Sequence, residues 1–283
     1  MQPIKNNVAA WLVYATKVLS SSSDSAKLDA EILLAFLLNK DRTYLLTWPE
    51  KLLDEDQQQC FRQLLQRRSS GEPIAYIVGI KEFWSLPLHV SPVTLIPRPD
   101  TEVLVELMLN HYADSDNLHC LDLGTGTGAI ALAIASEQPL WKIDAIDYSN
   151  EAVKLAQYNA KCLKLSNVTI YQSDWFGSVN DTNFDVIVSN PPYIDILDEN
   201  LDKGDVRFEP KSALVANEQG LGDIRLIAEH AMRFLKLGGA IYFEHGFEQG
   251  KAVRDILVTL GYVNIQTVKD YNHHDRITWA KLA

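Results

Sequence analysis

A strand that ends in an acceptor-rich turn is the feature of this sequence best suited to chemistry. The apolar run Phe184–Ser189 has the length of a buried strand, and Asn190-Pro191-Pro192-Tyr193 follows it directly. Ligands of open α/β sheets lie at the carboxyl ends of the strands. Each proline fixes the backbone and removes an N–H donor, which leaves the Asn190 side-chain oxygen and nearby carbonyls as acceptors. Acceptors beside the Tyr193 ring suit a planar NH2 group, although a proline-rich turn without a ligand would have the same residues.

The second motif is a glycine turn, Gly124-Thr125-Gly126-Thr127-Gly128, between a strand-like run and a helix-like run. Glycine lets the backbone approach a ligand because it has no Cβ. Asp147 ends the next apolar run, 23 residues after Gly124, where a carboxylate typically binds the ribose hydroxyls of an adenosine. The glycine pattern also fits NAD, or a turn without a ligand. Asp122 lies within the turn motif and favours the cationic S-adenosylmethionine over a pyrophosphate.

Several further segments occur in the same chain order around these two motifs, namely Ile96–Glu102, Gln172–Phe176 and Gly204–Pro210. With them the sequence resembles the release factor glutamine methyltransferase family, also called HemK-type, over nearly its whole length. The resemblance implies methyl transfer from S-adenosylmethionine to the side-chain amide of the glutamine in the Gly-Gly-Gln motif of peptide-chain release factors. It also implies that Gly124, Thr125, Gly126, Thr127 and Gly128 wrap the methionine end and the ribose of the cofactor.

The remaining cofactor contacts follow from the resemblance and from residue type. Asp147 is expected to hold the ribose hydroxyls. Asp174 is expected to accept from the adenine amino group, with Trp175 against the ring, and Asn190 makes a marginal cofactor contact. The resemblance also places a set of residues near the substrate entrance, without a chemical step for any of them: Arg98, Thr101, Glu102, Arg207 and Glu209.

The chemistry of an amide acceptor explains why Asn190, Pro191 and Tyr193 are the predicted catalytic residues. An amide nitrogen is a poor nucleophile because its lone pair is delocalised into the carbonyl. Asn190 Oδ1 and the Pro191 carbonyl could hold both N–H groups and favour the charge that develops on nitrogen. Pro192 stiffens the turn, Tyr193 packs on the amide or its stem, and positioning replaces a general base. The four residues together form the predicted substrate site.

Charge distribution bears on the alternatives. Residues 1–85 contain ten Lys or Arg and ten Asp or Glu, so the net charge of −11 lies entirely in the remainder, which carries the motifs. Duplex nucleic acid is bound largely by neutralising phosphates. The acidic balance therefore argues against an amino-adenine nucleic-acid methyltransferase and predicts no direct nucleic-acid binding. A ribosomal-protein glutamine methyltransferase would use identical catalytic residues, and an NAD-dependent oxidoreductase would leave Asn190–Tyr193 without a role.

Composition predicts the setting of the protein. The sequence lacks an apolar run of roughly 18 residues, so we expect no membrane association, and the first residues do not resemble a secretory signal. Cys60, Cys120 and Cys162 suggest neither disulfides nor a metal site and fit the cytoplasm, each as a small core residue. His245 is expected at a surface or turn, and no metal ligand set is predicted.

The order of elements predicts three segments. Residues 1–73 form a helical substrate-recognition module, and residues 74–94 form a β-hairpin linker of two strands around Gly79–Lys81. Residues 95–283 alternate strands and helices, which predicts an α/β domain with a mainly parallel sheet, and the resemblance implies that this is a Rossmann-like methyltransferase domain. Its last two strands, Val263–Val268 and Arg276–Lys281, lack an intervening helix and predict an antiparallel edge hairpin.

Overall fold

The structure, a computed structural model, describes residues 6–283 of the chain. Two compact units divide it: one extends to Ile80 and also includes Asp202–Phe208, and the other comprises Lys81–Leu201 and Glu209–Ala283. Residues 1–5, which the sequence places in the helical module, lie outside the described residues. The division of the chain into residues 1–73, 74–94 and 95–283 stays a prediction.

The first unit is helical. Its helices are α1 Val8–Leu19, α2 Ala26–Leu38, α3 Arg42–Thr47, α4 Glu55–Ser69 and α5 Ile74–Val78. Asn7 caps α1 by accepting from the Ala10 N–H at 3.0 Å, and Asp54 forms a capping box with Gln57 at the start of α4. The fully buried side chains of Trp11, Leu33, Leu34 and Phe61 form its core. This unit therefore has its own hydrophobic core.

The segment Asp202–Phe208 packs with these helices through two arginines. Arg68 forms an ion pair with buried Asp29 at 2.7 Å and reaches Asp205 at 3.5 Å. Arg207 donates from Nη2 to the Ser70 carbonyl at 3.0 Å. The segment includes a short 3-10 helix, Val206–Phe208. Residues far apart in sequence thus complete the helical unit.

The predicted hairpin is present but lies later in the chain than expected. Residues 74–78 form helix α5, which ends at Gly79 in the left-handed region, and strands β1 Ile80–Phe83 and β2 Leu86–His89 follow. The turn between the strands is Trp84-Ser85, and both residues have positive φ. The prediction of strands from residue 74 with a turn at Gly79–Lys81 was wrong, because a five-residue apolar run does not distinguish a helix from a strand.

The second unit is built on a seven-stranded sheet, and the predicted α/β fold with an antiparallel edge hairpin is confirmed. The strands of the sheet are β3 His119–Leu123, β4 Lys142–Asp147, β5 Val168–Gln172, β6 Phe184–Ser189, β9 Leu235–Glu244, β10 Val263–Lys269 and β11 Asp275–Lys281. Their order is β10-β11-β9-β6-β3-β4-β5. Strands β9, β6, β3, β4 and β5 are parallel, whereas β11 runs antiparallel to β9 and to β10.

Helices cover the sheet of this unit, as parallel strands require. They are α6 Pro99–His111, α7 Ala129–Glu137, α8 Asn150–Leu163, α10 Gly222–Ala231 and α11 Gly250–Thr259. Helix α7 is buried along nearly its whole length, from Ala129 to Ala135. Two clusters of buried apolar side chains form the core of the unit.

The connection from β6 to α10 contains only short elements. Within it are strands β7 Ile194–Asp195 and β8 Val215–Ala216, a distorted helix α9 Asn217–Gly220, and 3-10 turns at Glu199–Asp202 and Lys211–Ala213. Strands β7 and β8 pair in parallel. The chain between Tyr193 and α10 is thus folded back on itself.

Three expectations about single residues are wrong. Cys60 and Cys162 are exposed on helices, and only Cys120 is buried among the three free cysteines. His245 is fully buried, and its Nε2 is 2.7 Å from Thr278 Oγ1 on the neighbouring strand β11.

Within residues 6–283, each helix is too short or too polar to cross a membrane.

Candidate active site

Strand register brings the sequence motifs side by side at the carboxyl edge of the sheet. Leu123 pairs with Ser189 on one side and with Ile146 on the other. The residues that follow these three are Gly124, Asn190 and Asp147, which therefore leave neighbouring strands at the same level. Ser189 Oγ also donates to the Leu123 carbonyl at 2.8 Å and fixes the end of β6 against β3. Two motifs 66 residues apart thus converge on one place.

Asp147 is bonded directly to the glycine turn. Its Oδ2 accepts from the Gly126 N–H at 2.9 Å, and its Oδ1 accepts from the Ser149 N–H at 2.8 Å. Burial raises the pKa of Asp147, and these two backbone donors oppose the rise. Each carboxylate oxygen has two lone pairs, so each retains capacity for one further donor. This geometry suits a vicinal diol that donates to both oxygens.

Two of the glycines in the turn have different roles. Gly124 lines the cavity at φ +73°, and a Cβ there would lie 3.7 Å from the Trp175 ring. Gly128 has φ +87°, and a Cβ on it would approach Leu132 Cδ1 to 2.8 Å. Gly128 is therefore required for packing of the turn against α7, whereas Gly124 keeps the cavity wall open.

Trp175 and two carboxylates form the wall beyond strand β5. Trp175 has φ +43°, a conformation that costs a residue with a side chain about 1–3 kcal/mol. Ser173 holds this loop, because its hydroxyl donates to the Trp175 carbonyl at 2.6 Å and accepts from the Ser178 N–H at 2.9 Å. Asp223, in the first turn of α10, faces the same cavity as Asp174. Burial, followed by the charge of Asp174, raises the pKa of Asp223.

Asn190 lies half-buried at the cavity with its side-chain amide oriented by a hydrogen bond. Nδ2 donates to Thr101 Oγ1 at 3.3 Å. Within the described part of the chain, Asn190 Oδ1 has no hydrogen-bond partner, so Oδ1 is the atom that can accept from a ligand. The hydroxyl of Tyr193 donates to Glu244 Oε1 at 3.2 Å, and burial raises the pKa of Tyr193.

A cavity of about 290 Å³ joins these residues, and its described lining belongs to the second unit alone. Nine of the predicted site residues line it, namely Gly124, Thr125, Gly126, Thr127, Asp147, Asp174, Trp175, Asn190 and Pro192. Gly128, Pro191 and Tyr193 are not among the described lining residues. The expected contact of Tyr193 with the substrate amide stays a prediction, and its hydroxyl donates to the buried carboxylate of Glu244.

The residues placed near the substrate entrance by resemblance separate in the structure. Arg98 and Thr101 line the cavity, and Glu209 pairs with Arg98 at 2.5 Å while accepting from the Ile96 N–H at 3.0 Å. Glu102 accepts from the Trp84 N–H at 2.8 Å and supports the hairpin. Arg207 belongs to the helical unit.

The electrostatics of the cavity favour a cationic ligand. Asp147, Asp174 and Asp223 line it, and among the described lining residues Arg98 is the only Lys or Arg. Arg98 is already paired with Glu209. Behind the glycine turn, burial raises the pKa of Asp122 to about 7 against hydrogen bonds from Thr125 and Ala131. The described lining therefore offers no unpaired cation to a dinucleotide pyrophosphate. Its carboxylates suit the sulfonium and ammonium groups of S-adenosylmethionine.

Sequence reasoning missed several lining residues. Thr94, Tyr148, Ser149 and Ser212 line the cavity, as does Asp223. Ser149 had a detectable signal, because it follows Asp147 by two residues and caps α8 by accepting from the Ala152 N–H. Asp223 had none, since an acid in the first turn of a helix usually only complements the dipole.

One cluster away from the cavity has residue types that bind metals. In the described part of the chain, His119, Asp144 and Asp181 bring their ligand atoms within 4.8 Å of one another. The Lys142 ammonium lies 2.7 Å from Asp181 and 3.8 Å from Asp144. A cation of the protein thus already balances these carboxylates, and ion pairing explains the cluster.

The fold and the cavity define an S-adenosylmethionine-dependent methyltransferase. Two solved structures show this fold. The structure of a methyltransferase from Pyrococcus furiosus matches with a TM-score of 0.53 and 21% identity, over 78% of this chain and 96% of that protein's chain. A 16S rRNA methyltransferase from T. thermophilus has a TM-score of 0.54 and 17% identity, over 72% of this chain and 50% of its own. At these identities the likeness concerns the fold alone.

Sequence comparison identifies the family. The PrmC N-terminal domain profile matches residues 10–79, and the methyltransferase small domain profile matches residues 99–206. Three similar proteins are release factor glutamine methyltransferases, from Shewanella oneidensis (55% identity, 97% of this chain and 96% of the relative), Vibrio cholerae (56%, 96% and 95%) and Escherichia coli (50%, 95% and 96%). The chain belongs to the release factor glutamine methyltransferase family, as its motifs indicated, and S-adenosylmethionine is its methyl donor.

Proposed function

We propose that this enzyme methylates the side-chain amide nitrogen of a glutamine in peptide-chain release factors, within their Gly-Gly-Gln motif. The observation that carries the proposal is the orientation of Asn190. With Nδ2 held by Thr101, Oδ1 presents an acceptor at the cavity, beside the turn and carboxylates that suit the methyl donor. An amide NH2 group offers the matching donors, and the names of the relatives support a glutamine acceptor.

The cofactor residues follow from the geometry of the cavity. Asp147 would accept from the two ribose hydroxyls with the lone pairs that Gly126 and Ser149 do not use. Asp174 would accept from the adenine amino group, and Trp175 would lie against the ring. When bound, S-adenosylmethionine would supply a methyl group on a sulfonium: the amide nitrogen would bond to its carbon, the electron pair of the broken carbon–sulfur bond would stay on sulfur, and the nitrogen would release one proton to solvent water.

The protein contributes orientation to this reaction. Asn190 Oδ1 and the Pro191 carbonyl would hold the two N–H groups, which aims the nitrogen lone pair and favours positive charge on nitrogen. Pro191 and Pro192 keep these acceptors in place, so no reorganisation is needed as charge develops. The role assigned to these residues is catalysis by positioning.

We expect Asn190→Ala to lower turnover by roughly 10²–10³, the effect of losing one preorganised hydrogen-bond partner of a transition state. Affinity for S-adenosylmethionine should stay within a few fold, since Asp147 and the glycine turn remain. Turnover is measured with labelled cofactor and intact release factor, and affinity by calorimetry. Exposed Asn110→Ala is the matched control. Retention of more than a tenth of wild-type turnover would remove Asn190 from its role.

The acceptor itself is tested by competition. Labelled S-adenosylmethionine is incubated with the enzyme and, separately, with release factors, ribosomal proteins and DNA. We expect label in release factors alone, and none when the glutamine of Gly-Gly-Gln is replaced. Label only in ribosomal protein would shift the assignment to the sibling activity, and label only in DNA would refute a protein acceptor.

The helical module is proposed to recognise the release factor. It has its own core, and the described cavity lining contains none of its residues. Large apolar side chains remain exposed on it, namely Val13, Leu46, Trp48 and Leu52. The setting would be the cytoplasm, where release factors act and where exposed free thiols such as Cys60 and Cys162 stay reduced.

Leu46→Ser and Trp48→Ser in the intact chain should raise the Michaelis constant for whole release factor and leave turnover on a short Gly-Gly-Gln peptide unchanged. Loss of a remote contact weakens ground-state and transition-state binding equally, so the effect is on the Michaelis constant. Leu237→Ser, which removes an exposed leucine from the second unit, is the control. Equal Michaelis constants for all three variants would limit the module to a stabilising role.

A further inference from the structure

One side-chain amide outside the cavity is bonded to three separate segments of the second unit. Gln249 immediately precedes α11, and its Oε1 accepts from the Gly246 N–H at 2.8 Å. Its Nε2 donates to the Tyr193 carbonyl at 2.9 Å and to the Gln219 carbonyl at 3.1 Å. These partners lie after β9, at the end of the predicted catalytic turn and in α9. Gln249 is not among the described lining residues, so its effect on the reaction must pass through these partners.

The bonds of this amide account for a glutamine at position 249. A carboxamide has one acceptor oxygen and two N–H donors. Here the oxygen meets an N–H group, and the two donors meet two carbonyls. An amide rotated by half a turn would place its oxygen against both carbonyls and its nitrogen against the Gly246 N–H. The three partners therefore fix the orientation of the amide and use all of its donors.

The segment that shares this amide with the turn is strained and lies close to it. Glu218 and Gln219 have φ values of +55° and +58°, and Gly220 has φ +84°. Residues with a side chain keep such angles only where surrounding contacts hold them. A Cβ on Gly220 would lie 2.0 Å from the Tyr193 oxygen and 2.7 Å from Gln249 Nε2. The backbone of residues 217–220 thus lies directly against the end of the turn, with the Gln249 amide at the junction.

The turn itself has few backbone groups by which the protein can hold it. Pro191 and Pro192 lack N–H donors. The chain beyond the turn is held by the Ile194 N–H, which donates to the Leu214 carbonyl at 2.8 Å. The Tyr193 carbonyl is therefore the backbone group through which Gln249 can fix the end of the turn.

We propose that Gln249 is a positioning residue: it holds the Tyr193 carbonyl against residues 217–220 and thereby keeps Asn190 Oδ1 and the Pro191 carbonyl where the acceptor amide needs them. This role rests on the proposed function of the turn. A misplacement of about 1 Å in a site that works by orientation can lower the rate by about 10²-fold. Without the Gln249 donors, the Tyr193 carbonyl is released and residues 217–220 lose one of the contacts that hold their strained backbone.

The test compares Gln249→Met and Gln249→Glu with the wild-type enzyme. Methionine has a similar length and makes none of the three bonds, whereas glutamate can keep the bond to Gly246 but cannot donate when ionised. We expect each variant to lower turnover about 10- to 100-fold. The Michaelis constant for release factor and the affinity for S-adenosylmethionine should stay within threefold, since Asp147 and the glycine turn are untouched. Full turnover in Gln249→Glu would show that the two donated bonds are not needed, and would overturn the inference.

Exposed Glu248→Met is the matched control, and it should keep wild-type turnover. Thermal unfolding of each variant identifies losses that come from misfolding. A loss of turnover in Glu248→Met as large as that in Gln249→Met would show that the segment, and not the Gln249 amide, is responsible, and would refute the assignment.

A spectroscopic measurement reports the bond to the turn without reference to activity. The sequence contains two Tyr-Ile pairs, Tyr76-Ile77 and Tyr193-Ile194. Protein labelled with 13C at tyrosine carbonyls and 15N at isoleucine therefore gives two carbonyl–amide signals. Gln249→Met should shift the carbonyl signal of Tyr193 and leave that of Tyr76 in place. An unshifted Tyr193 carbonyl would show that Gln249 does not hold it.

A double-mutant cycle with Asn190→Ala separates positioning of the turn from a general effect. If Gln249 acts through the turn, its replacement should lower turnover less in the Asn190→Ala background than in the wild type. Fully additive losses would overturn the inference. The proposed function fails separately: it is wrong if wild-type enzyme transfers no label to release factors. If wild-type enzyme is active and Asn190→Ala is slow while both Gln249 variants keep full turnover, the proposed function stands and the role of Gln249 is refuted.

Discussion

Replacement of Asp147 by alanine should weaken S-adenosylmethionine binding more than any other single change in the cavity. Its two oxygens each hold one backbone N–H and each retain a lone pair directed at a further donor. Two ribose hydroxyls would add two hydrogen bonds to a charged group, each about 1.5–3 kcal/mol. Loss of both corresponds to roughly 3–6 kcal/mol, which raises the dissociation constant by about 10²–10⁴.

Asp147→Asn gives an intermediate and more specific result. The amide keeps one acceptor oxygen but replaces the other with a donor, so we expect about half the loss of binding free energy. The exposed carboxylate of Glu151, at the start of α8, supplies the matched control. Glu151→Gln removes the same charge close by, at a residue outside the described cavity lining, and its affinity should stay within threefold of wild type.

Isothermal titration calorimetry measures these affinities, and circular dichroism and thermal unfolding verify that each variant is folded. Loss of the partner of the Gly126 N–H should also loosen the turn, so the variants are compared well below their unfolding temperatures. A folded Asp147→Ala that binds S-adenosylmethionine within threefold of wild type would show that the ribose is held elsewhere. Equal weakening in Glu151→Gln would show that general charge, not hydrogen bonding, sets the affinity.

Three further predictions concern stability. In the folded state the pKa of Asp122 is about 7, above its ordinary value of 3.8, so folded protein holds a proton that unfolded protein releases. Asp122 should therefore lower the free energy of unfolding as pH rises from about 4 to 7, by up to about 1.4 kcal/mol per pH unit. Urea titrations at several pH values should show this slope in the wild type and not in Asp122→Asn. Parallel plots of unfolding free energy against pH for the two proteins would contradict the prediction. Trp11→Ala should lower the free energy of unfolding by about 3–5 kcal/mol, because Trp11 is fully buried in the module core. Trp48 is half-exposed, so Trp48→Ala should lower it by under about 1 kcal/mol. Similar losses of unfolding temperature in the two variants would refute this difference. Gly128→Ala should lower the free energy of unfolding by about 1–3 kcal/mol, because Gly128 has φ +87° and a Cβ there would press on Leu132. An unchanged unfolding temperature would mean that the turn can move.

Local pattern was sufficient for the architecture of the second unit. Apolar runs that alternate with helix signals predicted strands β3, β4, β5 and β6 in a parallel sheet. The reason is that each pair of consecutive strands is separated by a segment long enough for a crossover connection. The final two strands lacked an intervening helix and form the expected antiparallel hairpin. The positions of Asn190, Gly124 and Asp147 at the strand ends follow from the same reasoning.

Local pattern was insufficient where an element is short or where its turn lacks a signal. The run Ile74–Val78 is too brief for its period to show, and its helix ends at Gly79. The hairpin turn Trp84-Ser85 has two positive φ values without glycine or asparagine. Glu102 holds the Trp84 N–H from 18 residues away, a tertiary contact that replaces the missing turn residues.

The sequence by itself determined which chemistry is present: acceptors after β6, a glycine turn after β3 and a carboxylate after β4. Only the tertiary structure decided how these groups are oriented. Thr101, which holds the Asn190 amide, lies 89 residues away on another element, and Asp223 lines the same cavity as Asp174 from a helix with no distinguishing pattern. Periodicity carries information along one element, whereas the partner of a buried polar group is set by strand register and helix packing, which are properties of the whole sheet.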